Sequence, residues 1–301
     1  MATVLIAILK PFGKIINVLL IIAAAILLFS LTIGGLGSIL AAIIGFFAMY
    51  TIFDTPTIAN LLGIVGTLIL IIIPIILFAY LIIRILFQTK KKSSSATIGT
   101  LGGLWFIGFL MIIISILWFG FNLKESATIR EAEILPLNSD TLWLANDWNE
   151  KNSWDEERAV DNLFLGTALN IDNDTMSTSL VEATIVASKN EKYLVSTYFY
   201  SRGATKQLAK KSAAKINYRM TLKDKTLHFN NQIKIYDNPK WRFQKARVVI
   251  EVPIGKSIYL SPSMANIIYD IDNVSNTYDG DMLGHYWVMT EDGLKCLDKI
   301  F

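Results

Sequence analysis

Four aspartates in a short C-terminal stretch could bind a cation. They lie at positions 270, 272, 279 and 281 of the stretch YDIDNVSNTYDGDM, residues 269–282. A calcium loop alternates oxygen ligands along the chain, turns sharply at a glycine and closes with a glutamate. Here Val274 and Ser275 occupy the fifth and sixth positions, and no glutamate closes the stretch. We therefore interpret the aspartates as supports for tight turns, with calcium binding as the alternative.

Two histidines and one cysteine are further side chains that could do chemistry. His228 and His285 could titrate near neutral pH and report acidity, or could be ordinary hydrogen-bonded residues. Cys296 could be a redox site or a small core residue, and a single cysteine excludes an intrachain disulfide. The sequence contains no nucleophile elbow, phosphate-binding loop or metal pair. We therefore expect no enzyme, no metal site and no cofactor.

The composition is too apolar for an ordinary soluble domain. Hydrophobic residues make up 53% of the 301 positions and charged residues only 18%, against roughly 25% charged in soluble domains. Residues 1–122 contain a single acidic residue, Asp54, and six basic ones, which flank long apolar runs. Because this basic charge lies at membrane flanks, we expect the lipid bilayer as a partner and no nucleic acid.

The apolar runs of residues 1–122 predict a bundle of three or four transmembrane helices. The runs are residues 15–33, 38–53, 59–87 and 98–121. The second is short of the roughly 20 residues that a spanning helix needs, so whether it crosses stays open. Gly34–Gly37 predicts a break before it, Pro74 predicts a kink in the third run, and Arg84 can extend its charge to the headgroups.

The lysines that follow the third run predict the orientation. Lys90, Lys91 and Lys92, together with Arg84, form the largest basic cluster, and such clusters favour the cytoplasmic side. Residues 123–301 would then lie outside the cytoplasmic membrane. Lys10 and Lys14 also favour the inside, and both preferences hold if residues 15–87 cross an even number of times. We therefore expect a bacterial inner-membrane protein with an extracytoplasmic C-terminal domain.

Residues after 122 change character. We expect an irregular connector over residues 123–163 and a β-rich domain over residues 164–301. The stretch TLHFNNQIKIY, Thr226–Tyr236, alternates between apolar and polar residues and predicts one half-buried strand. Several other short strands and turns, with a short helix at residues 206–216, are compatible with an all-β sandwich, barrel or solenoid.

The stretch Tyr198–Leu260 resembles the C-terminal domain of membrane proteins of the phage-shock-protein C (PspC) family, of the Bacteroidetes type. The matching positions are the pair Arg202 and Gly203, the group Trp241, Arg242 and Gln244, and the pair Pro253 and Gly255. The resemblance extends over the preceding helices and the C-terminal tail. It implies a solenoid-like toastrack domain, related to the LiaF type, and a non-catalytic role in sensing or relaying envelope stress.

The resemblance leaves several functional hypotheses open. Longer family members carry a small N-terminal domain before the helices, which we expect this chain to lack. Arg242 and Gln244 could bind a partner's carboxylate, or could satisfy backbone groups at a turn, which we favour. The tryptophans between residues 143 and 154 could form a ligand surface, a membrane-facing patch or a packing contact. The chain would be a sensor or scaffold with protein partners in the envelope; alternatively, it would be a membrane-anchored module that binds a lipid, polymer or protein.

Overall fold

A computed structural model describes residues 2–86, 95–147, 169–172, 174–237 and 239–298. The chain divides into two compact units, Met1–Phe121 and Asn122–Phe301. The first unit is helical and the second is rich in β-strands. This division confirms the predicted fold class, an α-helical membrane region followed by a β-rich domain.

Three long helices make up the first unit. Their bounds are Ala2–Ile52 for α1, Thr57–Leu86 for α2 and Ser95–Asn122 for α3. Each contains a segment long and apolar enough to cross a membrane, namely Ile21–Ile52, Thr57–Arg84 and Ala96–Asn122. Of the alternatives of three or four helices, the described residues therefore support three.

The predicted break at Gly34–Gly37 is wrong, because α1 runs through these glycines without interruption. Gly35 faces the side chain of Ile75 in α2, and the Ser38 hydroxyl donates a hydrogen bond to the carbonyl of Gly34 at 2.7 Å. In apolar surroundings a helix satisfies the backbone within one segment, and small residues allow neighbouring helices to approach closely. The run that begins at Ser38 is consequently the C-terminal part of α1.

Pro74 lies inside α2, and Arg84 lies in its last turn. The kink expected at Pro74 and the interaction of Arg84 with headgroups stay predictions. Lys90, Lys91 and Lys92 lie outside the described residues.

A small-residue seam, formed by Ala59, Gly66, Gly108 and Ser115, joins α2 to α3. A Cβ atom added at Gly66 would lie 2.7 Å from the carbonyl oxygen of Gly108, so the two backbones are in contact. The buried Ser115 hydroxyl donates to the carbonyl of Ala59 at 2.7 Å. Ala59 and Ser115 lie seven residues from the two glycines, on the same side of each helix. Small residues and a side-chain hydrogen bond are what helix association in a membrane uses.

Fourteen strands and one further α-helix are present among the described residues of the second unit. In chain order they are β1 (Glu125–Ile134), β2 (Thr141–Asn146), β3 (Leu169–Asp172), β4 (Thr175–Thr178), β5 (Val181–Ser188), β6 (Leu194–Gly203), α4 (Lys206–Ala213), β7 (Ile216–Asn217), β8 (Thr221–Lys223), β9 (Thr226–Phe229), β10 (Ile233–Tyr236), β11 (Lys245–Pro253), β12 (Ser257–Leu260), β13 (Tyr286–Thr290) and β14 (Gly293–Cys296).

The strands form three sheets with the orders β1-β6-β11-β5, β3-β4-β10-β7 and β14-β13-β12-β2-β9-β8. Most neighbours are antiparallel, but β5 with β11, β2 with β9 and β2 with β12 are parallel. These parallel pairs join strands that are far apart in the sequence. The β-rich class is confirmed, while the solenoid stays a prediction.

The irregular connector expected over residues 123–163 is wrong for its first part, because β1 and β2 lie there. β1 pairs with β6 over its whole length, from Glu125 with Gly203 to Ile134 with Leu194. β1 is an edge strand whose second half is exposed on both faces, so it lacks the alternating pattern that marks a half-buried strand. β2 is short and is followed by polar residues, so the alternation of its two buried leucines did not indicate a strand.

The stretch predicted as one strand at Thr226–Tyr236 forms two strands, β9 and β10, which belong to different sheets. Its four apolar residues are all buried, as the alternation predicts: Leu227, Phe229, Ile233 and Ile235. Between them the side-chain oxygen of Asn230 accepts a hydrogen bond from the amide of Gln232 at 2.8 Å. An asparagine that bonds to the backbone two residues on makes a turn, which ends one strand before the next begins.

Tyr193 connects two of the sheets. It directly precedes β6, and its hydroxyl lies 3.0 Å from the carbonyl oxygens of Asp140 and Ser257, next to β2 and at the start of β12. The side chain is almost fully buried. Burial and the Asp140 carboxylate raise the pKa of Tyr193 from its usual value to about 12.

The small-residue seam predicts a specific sensitivity to side-chain size. Gly108→Val should lower the free energy of unfolding by about 1 to 3 kcal/mol, because the new side chain overpacks a closed contact. The measurement is the midpoint of detergent-induced unfolding of the full chain, followed by far-ultraviolet circular dichroism. Gly103→Val is the control, since a Cβ there meets no atom within 4 Å. Equal midpoints for the two variants would contradict the seam.

Tyr193 predicts a loss of stability in alkali. The folded-state pKa of Tyr193, about 12, lies above the unfolded value of 10.0. The contribution of Tyr193 to the free energy of unfolding is therefore complete below pH 10 and is lost as the pH rises toward 12. The free energy of unfolding of the wild type, relative to Tyr193→Phe, should therefore fall by about 2 to 3 kcal/mol over that interval. Tyr236→Phe, at an exposed tyrosine, is the control. Parallel curves for wild type and Tyr193→Phe would refute the assignment.

Candidate functional site

Gly203 is one of the motif residues, the positions that carry the resemblance to the PspC family. It lies where α4 packs against β6. A Cβ atom at this position would lie 2.7 Å from the backbone nitrogen of Ala209 in α4, so a larger residue would displace the helix. Thr205 begins the helix, and its hydroxyl accepts a hydrogen bond from the amide of Leu208 at 3.2 Å. Gly203 is thus needed for close packing.

The buried side chain of Gln244 binds the motif segment together. Its amide oxygen accepts from the backbone N–H of Arg242 at 2.7 Å, and its amide nitrogen donates to the carbonyl of Lys240 at 2.9 Å and the hydroxyl of Ser212 at 3.3 Å. The backbone N–H of Arg202 donates to the carbonyl of Arg242 at 2.9 Å. These contacts bring the Arg202–Gly203 and Trp241–Gln244 motifs into one structural joint.

The segment Trp241–Gln244 is not a regular strand. Phe243 has a φ of +55° and is exposed, while Trp241 and Gln244 are both buried, so the sides do not alternate. The side chain of Gln244 satisfies backbone groups of Lys240 and Arg242. Burial lowers the pKa of Arg242 below its usual value. Binding of a partner's carboxylate by Arg242 stays a hypothesis.

Pro253 and Gly255 form the turn between β11 and β12. Gly255 has a φ of +86°, a conformation that favours glycine. Its N–H donates to the carbonyl of Met289 at 2.9 Å, and the N–H of Lys256 donates to the carbonyl of Pro253 at 3.1 Å. The pair therefore anchors this turn to β13.

The aspartate-rich stretch includes a side chain that supports a turn. The carboxylate of Asp279 accepts hydrogen bonds from the backbone N–H groups of Asp270 at 2.8 Å and Ile271 at 3.1 Å. Both of its oxygens are used by the chain itself. The turn interpretation is confirmed for Asp279.

Each histidine lies beside a carboxylate. The Nδ1 atom of His228 is 2.6 Å from Asp147, and the Nδ1 atom of His285 is 3.2 Å from Asp298. Cys296 lies close to the second pair, and its thiol donates to the backbone carbonyl of Asp298 at 3.4 Å. His285, Cys296 and Asp298 are consequently one cluster. The sequence offered His285 and Cys296 as unrelated candidates and did not single out Asp298.

An aromatic row, formed by Trp143, Tyr259 and Tyr286, crosses one face of the six-stranded sheet. The ring centroids of Trp143 and Tyr259 are 4.4 Å apart, and those of Tyr259 and Tyr286 are 4.8 Å apart. The ammonium of Lys225 lies 4.9 Å from the centre of the Trp143 ring. All three rings are partly exposed. The opposite face of the same strands is fully buried: Leu142, Leu144, Ile258, Leu260 and Trp287.

Partly exposed aromatic rings beside a cation suit an interaction surface, since tryptophan and tyrosine supply most of the binding energy at many protein interfaces. The sequence pointed to Trp143 alone and missed Tyr259 and Tyr286. The sequence signal that could have identified them is that each aromatic residue alternates with apolar core residues along a short strand. Their assembly depends on a pairing of β2, β12 and β13 that no local pattern shows. Trp148 and Trp154 lie outside the described residues.

Comparison with known proteins gives two family matches. A model described as the PspC transmembrane region matches residues 1–123, and a model described as a ToastRack found in some PspC proteins matches residues 169–300. No curated protein and no solved structure matches the chain. The two matched segments follow the division between the helical and the β-rich unit. The chain therefore belongs to the PspC family of membrane proteins, with a PspC transmembrane region followed by a ToastRack domain.

Proposed function

We propose that this chain is a non-enzymatic sensor or scaffold in the envelope-stress response of a bacterial inner membrane. The observation that carries the proposal is the small-residue seam between α2 and α3. Its two glycines leave the helices in backbone contact, and one buried hydrogen bond from Ser115 to Ala59 sets their register. Ile69 of α2 and Ile112 of α3 pack against the two glycines, so this contact depends on the exact position of each helix. A change in the bilayer or in a membrane partner can then shift the population of helix arrangements.

The helix count supports the proposed orientation. With α1 as a single span, α1 and α2 separate Lys10 and Lys14 from Lys90, Lys91 and Lys92 by two crossings. Both basic clusters then lie in the cytoplasm, as the positive-inside preference requires. The third helix leads outward, and the β-rich unit is extracytoplasmic. Its protein partners are accordingly membrane or envelope proteins.

The aromatic row favours a second candidate function, a membrane-anchored module that binds an envelope protein. Trp143, Tyr259 and Tyr286 present partly exposed rings on the face opposite the core, with Lys225 beside them. In this hypothesis the helices serve only as an anchor, and the partner is held by the row alone. The two candidates differ in whether the sequence of the helices matters.

The orientation predicts the location of the C-terminus. Paired reporter fusions after Phe301, one active only outside the cytoplasm and one only inside, should show activity for the outside reporter alone. The physical reason is that both basic clusters would otherwise face the wrong side. Activity of the inside reporter alone would refute the orientation and place the β-rich unit in the cytoplasm.

The two candidate functions predict different responses of a stress-gene reporter in cells that lack the native gene. One variant replaces the three helices by an unrelated three-span segment, and a second carries Trp143→Ala with Tyr259→Ala. If the chain is a sensor, replacing the helices should abolish the response and Pro74→Ala should alter it. If it is an anchored module, replaced helices should be tolerated and the aromatic variant should abolish the response.

The control for the aromatic variant is Tyr278→Ala, at a tyrosine that is 83% exposed and outside the row. Membrane levels of every variant are matched by immunoblotting. A normal response from both the helix replacement and the aromatic variant would refute both candidates.

A further inference from the structure

The end of the hairpin formed by β13 and β14 brings together three side chains that are good ligands for transition metals. His285 directly precedes β13, Cys296 ends β14, and Asp298 lies two residues further on. One imidazole nitrogen, the thiol sulfur and one carboxylate oxygen all lie within 4.8 Å of one another.

The strand register explains why these side chains meet. Trp287 pairs with Cys296, and the N–H of Leu297 donates to the carbonyl of Tyr286 at 2.8 Å, so the ladder continues past the end of β14. Continued by one more position, it places His285 opposite Asp298. Since side chains alternate along a strand, His285, Cys296 and Asp298 share one face of the hairpin.

The carboxylate of the cluster is already oriented by the backbone. The N–H of Tyr286 donates to one oxygen of Asp298 at 2.9 Å, and the same oxygen lies 3.2 Å from Nδ1 of His285. Hydrogen bonds that orient ligands are a regular feature of metal sites in proteins.

We propose that His285, Cys296 and Asp298 form a binding site for zinc or a similar borderline transition metal. Thiolate and imidazole ligands select such metals over calcium and magnesium, which prefer oxygen alone. Bond lengths of about 2.0 to 2.3 Å around tetrahedral zinc put neighbouring ligand atoms roughly 3.3 to 3.8 Å apart. The ligand atoms of the cluster, which lie within 4.8 Å of one another, would have to approach by up to about 1 Å to reach this geometry.

Metal binding at this site has a defined proton balance and a defined effect. The Cys296 thiol loses its proton to solvent, its hydrogen bond to the Asp298 carbonyl is replaced by a sulfur–metal bond, and the imidazole binds in its neutral form. Three protein ligands leave the fourth position for water or for a group of a partner. The bound metal would join the last described residues of the chain to the start of β13.

The test uses the full chain in detergent micelles, with the purification tag removed and a phosphine reductant present. Cobalt is the probe, because a cobalt–thiolate bond has a charge-transfer absorption that oxygen and nitrogen ligands do not produce, and zinc is then added as a competitor. We expect one cobalt per chain with the thiolate absorption, which stoichiometric zinc abolishes.

Three variants locate the metal. Cys296→Ser, a nearly isosteric change at a partly exposed position, should abolish the thiolate absorption. His285→Gln should weaken binding by at least about 10-fold, the lower limit for the loss of even an outer-shell partner. The matched control is His228→Gln, because His228 is also paired with an aspartate, Asp147 at 2.6 Å, but is not part of the cluster. It should bind as the wild type does.

Several outcomes would overturn the proposal. They are the absence of thiolate absorption in the wild type, unchanged affinity in His285→Gln, and an equal loss of affinity in His228→Gln and His285→Gln. Circular dichroism and thermal melting of the metal-free variants check that each is folded. If His285→Gln does not fold, the comparison of Cys296→Ser with the wild type decides alone.

Discussion

The requirement that backbone polar groups find hydrogen-bond partners governs both units of this protein. Hydrocarbon offers no water to an exposed peptide group, so a membrane span is stable as a continuous helix. For this reason α1 passes through Gly34–Gly37 and α2 continues past Pro74. The glycines that would end a helix in water instead allow close approach between helices, as at Gly66 and Gly108.

The β-rich unit meets the same requirement through pairing between distant segments. β2 lies between β9 and β12, so the centre of the largest sheet forms only after much of the chain is in place. Side chains then form hydrogen bonds with backbone groups that the pairing between strands leaves without a partner. Tyr193 reaches two carbonyls of a second sheet, and Gln244 bonds three groups around the joint with α4. The motif residues Gly203, Gln244 and Gly255 are thereby explained as supports of the fold.

Two candidates for interaction outside the motif residues, the aromatic row and the cluster at the hairpin end, converge on β13. Tyr286 points to the face that carries the aromatic row, whereas Trp287 and the neighbouring His285 belong to the other face. A partner docked on the row and a metal held at the hairpin end would therefore act on opposite sides of one strand. Binding at one of these faces could then affect binding at the other through β13.

The sequence by itself determined the features that depend on local composition: the apolar character of the region before residue 123, the β-rich class, the burial of alternating residues such as Leu227 and Phe229, and the family. Edge strand β1 escaped prediction because its second half is exposed on both faces and its sequence does not alternate between apolar and polar residues. Only the tertiary structure decided that Thr226–Tyr236 splits between two sheets, that Trp143 meets Tyr259 and Tyr286, and that His285 meets Cys296 and Asp298. The physical reason is that strand pairing is non-local, so the register between strands, rather than any spacing along the chain, places these side chains together.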